Sequence, residues 1–260
     1  MKNYHTHTFR CMHATGKDED YVIAAIEAGI TQLGFSDHTP WKYNSDFVAG
    51  MRMHISQFDD YYKSIASLKE KYKDQIDIKI GLECEYFPRY MKWLKDLVKE
   101  YNLDYLILGH HYIETDEHFP YVGTNAKDND YLNLYIESTI EGLSTGLFSY
   151  VAHPDLYCKA RYWDKQCEQA AHKLCAYCKE HDILMEYNLA GARYTSHKTD
   201  MKYPHEKFWE IAAQYSIKAI IGIDAHNPKD LKDKNTYNYA LKYLQNLGIE
   251  VVEDIKFFNE

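Results

Sequence analysis

A chain of 260 residues, 45% hydrophobic and 27% charged, has ordinary globular composition and the length to bury a sizeable core. Its formal charge of −9 argues against a nucleic-acid surface, where Lys and Arg supply most of the affinity by neutralising phosphates. No run approaches the ~18 apolar residues of a membrane span, and Met1 to His7 lacks a signal-peptide stretch, so a cytoplasmic location is expected.

The first strand is predicted at Lys2–Thr6. A helix follows over Asp18–Ala28, where Tyr21, Val22, Ala25 and Ile26 share one face and Gly29 supplies the stop. The second strand, Gln32–Ser36, leads to a long helix over Ser56–Tyr72. The third, Ile76–Cys84, precedes a helix near Tyr90–Tyr101. Tyr105–Leu108 is paired in the same way with Tyr131–Thr145, and Ser149–Ala152 with Lys165–His181. Ile183–Glu186 precedes His205–Tyr215, and Ala219–Gly222 precedes Thr236–Leu247. A last run, Glu250–Val252, adds an edge or closing strand. Seven strand–helix units imply a parallel sheet with right-handed crossovers, which a barrel or an open doubly wound sheet would satisfy.

Polar clusters decide between those folds. They sit at the C-terminal ends of nearly all the strands, and a barrel gathers every such end at one mouth, whereas an open sheet binds at one crevice. The expected fold is therefore α/β, a distorted (β/α)7 TIM-like barrel. Residues 1–260 form one domain in this reading, close to the roughly 250 residues such barrels use.

Fourteen histidines are the compositional anomaly, while 25 tyrosines read as packing. The six cysteines are expected to be reduced; Cys175 and Cys178 form a lone CxxC inside a helical pattern and read as structural thiols. His5 and His7 form an HxH whose side chains share one face of a strand, and His13 follows closely. The second strand ends in Asp37–His38, the third in Gly81-Leu82-Glu83 and the fourth in His110–His111. The fifth ends in His153-Pro154-Asp155 and the seventh in Asp224-Ala225-His226. Each has an ordinary reading by itself: a surface His pair, a helix cap at Asp37, a turn at Pro154. Six such strand ends in one chain are not independent accidents. Imidazoles and carboxylates together suit Zn, Fe or Mn, and the set is large enough for two or three ions.

With these residues in view, the sequence resembles the polymerase and histidinol phosphatase (PHP) superfamily across almost the entire chain. The matching pieces are HTHT at His5–Thr8, SDH at Ser36–His38, GLE at Gly81–Glu83, GHH at Gly109–His111, HPD at His153–Asp155 and DAH at Asp224–His226. MRM at Met51–Met53, LILGHHYI at Leu106–Ile113 and EYNLAG at Glu186–Gly191 are similar to the stand-alone histidinol-phosphate phosphatase branch. The resemblance implies a trinuclear centre of divalent ions. His5, His7, Glu83 and Asp224 would hold the first. Glu83 would bridge to a second, held also by His111 and His153, and His13, His38 and His226 would hold the third. Of the pair His110–His111, the second is the expected ligand. Glu83, Asp224 and His226 are the residues expected to be catalytic.

Arg161 and Arg193 lie on the loops beyond the fifth and sixth strands, and guanidinium forks match phosphate oxygens. The resemblance implies that both clamp the substrate phosphate; Lys159 and Arg52 are weaker candidates. Glu85 and Asn188 are expected to line the pocket, and Asp37 to orient a ligand imidazole through its second nitrogen. The expected reaction is hydrolysis of L-histidinol phosphate, with ion-activated water attacking phosphorus and rim acids meeting the substrate ammonium. The competing readings are a phosphatase for phosphotyrosine or nucleotides, a nuclease of the same superfamily, and a non-catalytic metal-binding module. A small phosphorylated partner is expected, with no nucleic acid or membrane; the oligomeric state is left open.

Overall fold

A computed structural model describes residues 1–195, 197–198 and 200–259. Eight parallel strands run in sequence order around the sheet: β1 (Lys2–Asn3), β2 (Gln32–Phe35), β3 (Asp77–Cys84), β4 (Tyr105–Leu108), β5 (Tyr150–Val151), β6 (Leu184–Asn188), β7 (Lys218–Gly222) and β8 (Glu250–Val252). The helices between them are α1 (Asp18–Ala28), α2 (Phe58–Lys71), α3 (Met91–Tyr101), α4 (Val122–Asn125), α5 (Asn129–Ser144), α6 (Lys165–Glu180), α7 (Leu189–Thr195), α8 (Glu206–Gln214) and α9 (Lys234–Asn246). The α/β barrel expectation holds. α4 and α7 fall where the sequence reading had loops, both too short to show a helical period.

The sheet curls until its two ends meet at the mouth. Thr6 bridges Ala225 in parallel, with His7 N donating to Ala225 O at 2.9 Å and Ala225 N to His5 O at 3.1 Å. β8 lies at the predicted Glu250–Val252 and ends the sheet as an edge strand, one of the two roles foreseen for it. It pairs with the lower end of β7, from Lys218 to Ile220, while the extension of β7 meets the extension of β1 above it. Ion pairs from Met1 N to Glu253 and from Lys2 to Asp254 tie this wedge to the first strand. β1 itself is shorter than predicted. Beyond it the Asn3 side chain intrudes on the backbone, donating to His5 O at 3.1 Å and accepting from Ile223 N at 2.8 Å.

Two apolar regions fix the barrel. The larger lies between strands and helices, and holds Leu33, Phe35, Leu82, Cys84, Leu106 and Leu108 on its strand side. The smaller joins Tyr4, Tyr105, Ile107, Tyr150, Ala152, Ile220 and Ile255, side chains drawn from several strands around the sheet, β4 and β7 among them, so it fills the barrel interior. Period-two alternation along β3 then turns Glu83 inward, between the outward Leu82 and Cys84. All six cysteines are free and buried, Cys175 and Cys178 among them, in keeping with their reading as structural thiols. Among the described residues no helix is long and apolar enough to cross a membrane.

Candidate metal centre

Glu83 stands at the centre of the mouth. Its Oε1 lies 2.8 Å from His153 Nε2, 3.4 Å from His5 Nε2 and 3.5 Å from His111 Nε2. Its Oε2 lies 2.8 Å from His38 Nδ1 and 3.5 Å from His7 Nε2. Asp224 faces it from the other lip of the seam, with Oδ1 3.1 Å from His7 Nε2 and 3.5 Å from His5 Nε2. The His226 ring stacks on His7 and His13 at centroid distances of 4.1 and 4.7 Å. The structure thus brings all nine expected ligand residues into one cluster. His153 and Asp224 hold φ of 31° and 49°, conformations costing about 1–3 kcal/mol each in a non-glycine residue and found where surroundings over-determine the backbone.

Room for the carboxylates comes from missing methyl groups. A Cβ on Gly109 would fall 1.9 Å from Glu83 Oε1, and one on Gly222 would fall 1.7 Å from Glu186 Oε1. Alanine at either place would collide with an acid the mouth depends on.

Buried carboxylates orient the imidazoles from behind. His5 Nδ1 meets Glu186 at 2.7 Å, His111 Nδ1 meets Glu85 at 3.1 Å, and His7 Nδ1 meets Asp37 at 3.4 Å. His13 Nδ1 donates to Cys11 O at 2.7 Å. Each contact leaves Nε2 turned toward the cluster, the arrangement by which ligand histidines are fixed in tautomer and direction. Asp155 belongs to the HPD motif but faces away from the cluster. Its Oδ2 accepts from His205 N at 2.6 Å, and burial raises its carboxyl to about 7. His110 likewise stands outside the cluster: its Nδ1 accepts from Tyr86 N at 3.3 Å, its ring stacks on Tyr135, and burial lowers it to about 3.

The cluster fits cations. His5 Nε2, His7 Nε2, His38 Nδ1, Glu83 Oε2, Asp224 Oδ1 and His226 Nε2 are all buried without a well-aligned hydrogen bond, although several lie within 3.5 Å of one another. One such atom costs about 1–3 kcal/mol, so six facing one another need a common partner that accepts lone pairs. Without one, the protons divide unevenly. Burial pushes His7 down, but Asp224 and Asp37 raise it to about 9, whereas burial and His7 lower His226 to about 3. Ligand-type atoms within 4.8 Å of one another form the triads His5–His7–Glu83, His38–Glu83–His111, His7–His38–His226 and Cys11–His13–His226. The first matches the first expected ion. His38 is shared between two triads, one with His226 and one with Glu83, rather than belonging only with His13 and His226, and Cys11 joins a group that the sequence reading did not include.

A cavity of about 560 Å³ opens over the cluster, with His7, His13, His38, Glu83, His111, His153, Asp224 and His226 at its floor. Tyr112, Tyr121, Tyr194, Tyr203, Met51 and Leu156 form its walls, with Lys159 among them. Arg161, expected at the phosphate, is not brought there: it pairs with Asp164 and donates to Asn129 Oδ1 at 2.9 Å, because the turn entering α6 supplies a closer carboxylate. Arg193 is turned to the backbone beneath the site, donating to Ile223 O at 2.8 Å and Asp224 O at 3.4 Å, and its Nε lies 3.6 Å from Asp230. The rim acids expected for an ammonium are absent too; Glu83 and Asp224 are the only carboxylates among the described lining residues. Glu85 and Asn188 do not line the cavity but stand behind it, Asn188 Nδ2 donating to Asp224 Oδ2 at 3.0 Å. The sequence reading missed the role of Glu186, although a carboxylate closing an apolar strand was a usable signal, and it dismissed the tyrosines as packing.

The family model described as the PHP domain matches residues 3–190. A Deinococcus radiodurans protein named "Probable histidinol-phosphatase" is 28% identical over 250 residues, covering 94% of this chain and 92% of its own. The histidinol-phosphatase of Bacillus subtilis is 23% identical over 255 residues, covering 87% and 94%. Among solved structures, the histidinol phosphate phosphatase of Lactococcus lactis, complexed with zinc, L-histidinol and phosphate, is similar with a TM-score of 0.71 at 17% identity over 98% of each chain. That likeness establishes the barrel, and the family model covers most of the strand ends that build the mouth, so the chain belongs to the PHP domain family.

Proposed function

We propose that this chain is a metal-dependent phosphomonoesterase that hydrolyses L-histidinol phosphate to L-histidinol and phosphate, a step of L-histidine biosynthesis. Up to three divalent ions (zinc, iron or manganese) would be held by His5, His7, His13, His38, Glu83, His111, His153, Asp224 and His226. The observation that carries the reading is the convergence of unpartnered imidazole and carboxylate atoms on Glu83, beneath a cavity of small-molecule size. Near full-length likeness to proteins named for this reaction supports the choice of substrate.

Bound ions would supply a water of lowered pKa and offset charge on the phosphoryl oxygens. The chain's own residues do the rest. Glu186, Glu85 and Asp37 hold three of the imidazoles in direction. Lys159, half-buried on the cavity wall and lowered by burial, takes over from Arg161 the role of phosphate cation. No carboxylate pairs with it among the described residues, and its Nζ lies 5.2 Å from the centre of the Tyr121 ring. The tyrosine walls suit the other half of the substrate: rings can stack on an imidazole and face an ammonium through their π-electrons. Arg193 braces the backbone that presents Asp224.

Activity on histidinol phosphate, a phosphotyrosine peptide, a nucleotide monophosphate and single-stranded DNA tests the reading. Preference for histidinol phosphate is expected. Preference for any of the others overturns the substrate while leaving the metal centre standing, and inactivity on all four in ion-loaded protein favours a binding module.

A further inference from the structure

The 12-residue stretch from Trp41 to Arg52 leaves the end of β2, carries Gly50 and Met51 to the cavity wall, and returns to where it began. Its two ends meet on one carboxylate. Trp41 Nε1 donates to Glu85 Oε2 at 2.9 Å, and Arg52 forks Glu85 with two bonds of 2.9 Å. A compact loop whose ends touch in this way is an Ω-loop. Arg52 is 1% exposed, and its guanidinium is saturated: Nε reaches Asp116 at 3.1 Å, Nη1 also reaches Thr39 O at 3.1 Å, and Nη2 also lies 3.1 Å from Asp116. Asp116 in turn takes the Tyr43 hydroxyl at 2.7 Å, fastening the first arm of the loop to the segment after β4.

Glu85 has one further contact, and it is the one that matters for the mouth. His111 Nδ1 lies 3.1 Å away, so the carboxylate that closes the loop also sets the direction of a candidate ligand ring. We infer that Arg52 and Glu85 are positioning residues that couple the seating of the 41–52 loop to the orientation of His111. A substrate that presses on Met51 therefore tightens the ligand set through Arg52 and Glu85, without touching either. Arginine is required because two carboxylates and a carbonyl must be met at once by a rigid fork; a lysine ammonium carries the charge but not the geometry.

The inference rests on His111 being a ligand and not on the identity of the substrate. The test uses zinc-loaded full-length protein, with zinc retention against a competing chelator and amide exchange over residues 42–51 read in parallel. Arg52→Lys is expected to keep its circular dichroism, to hold zinc about 10- to 100-fold more weakly, and to exchange faster across the loop. Trp41→Phe removes a loop-side donor that touches no candidate ligand, and should move both readouts in the same direction by less; it keeps the test open should Arg52→Lys fail to fold. Because coupling is reciprocal, His111→Ala should also quicken loop exchange. Variants that loosen the loop at unchanged zinc retention, or lose zinc with the loop still protected, overturn the coupling. Wild-type protein that retains no zinc overturns instead the metal-centre reading on which it rests.

Discussion

The floor of the mouth and its rim are built on different principles. On the floor, imidazoles at strand ends are held by carboxylates that are themselves buried and bonded, as Glu186 is by His153 N at 3.0 Å and by Asn188 at 2.9 Å. On the rim, side chains arrive on turns and short helices, and their direction depends on the nearest counter-charge; Arg161 turns to Asp164 for that reason, while Lys159, two residues earlier, reaches the cavity. Strand ends fix a side chain's direction through the pleat, whereas loops leave it to local competition.

The largest test of this contrast lies at the centre of the floor. Glu83→Gln keeps the shape but removes the charge that five imidazoles face, and should lower kcat/KM by at least about a thousandfold, a loss of roughly 4 kcal/mol, with ion content reduced in elemental analysis. Near-native turnover would remove Glu83 from the centre. Gly109→Ala approaches the same point sterically. It should cost about a hundredfold in kcat, the scale of an ångström misplacement, while leaving the thermal transition cooperative. An active Gly109→Ala enzyme would mean that the carboxylate has latitude the packing does not suggest.

On the rim the expected effects are smaller, and they separate neighbours. Lys159→Ala should lower kcat/KM about ten- to a hundredfold with ions retained, as for loss of one charge-assisted contact of about 1.5–3 kcal/mol. Arg161→Ala should stay within about threefold of wild type, since it breaks the pair with Asp164 and the bond to Asn129, neither of which lines the cavity. Steady-state kinetics on histidinol phosphate checks both, and the reverse order would restore Arg161 as the phosphate ligand.

The same contrast explains what the sequence disclosed. Strand positions followed from apolar period, and polar residues closing those strands had to point into the mouth, so the cluster around Glu83 was legible. The grouping of ligands was not, because His38 faces both Glu83 and His226 and no spacing in the chain encodes that. Glu85 was legible as a polar residue after Glu83 but not as the acid behind His111, since nothing local announces that Arg52, 33 positions earlier, will neutralise it. α7 was missed because a short helix is set by what it packs against, whereas β8 falls at the predicted Glu250–Val252. Arg193 was placed on a loop by its distance from the sixth strand, whereas α7 turns it onto the backbone just past β7.

The seam between Thr6 and Ala225 has a consequence in time. His5 and His7 sit on one side of it and Asp224 and His226 on the other, and Asn3 is joined to Ile223 across 220 residues of chain. At about 5–20 residues per second of synthesis, the first imidazole pair waits roughly 11–44 s for its partners to exist. No growing chain can therefore hold a finished first site, and a polypeptide stopped anywhere before Asp224 has an open seam and lacks at least Asp224 and His226 of the nine candidate ligands. Closure of that seam and the first moment at which the chain can assemble that ligand set are one event.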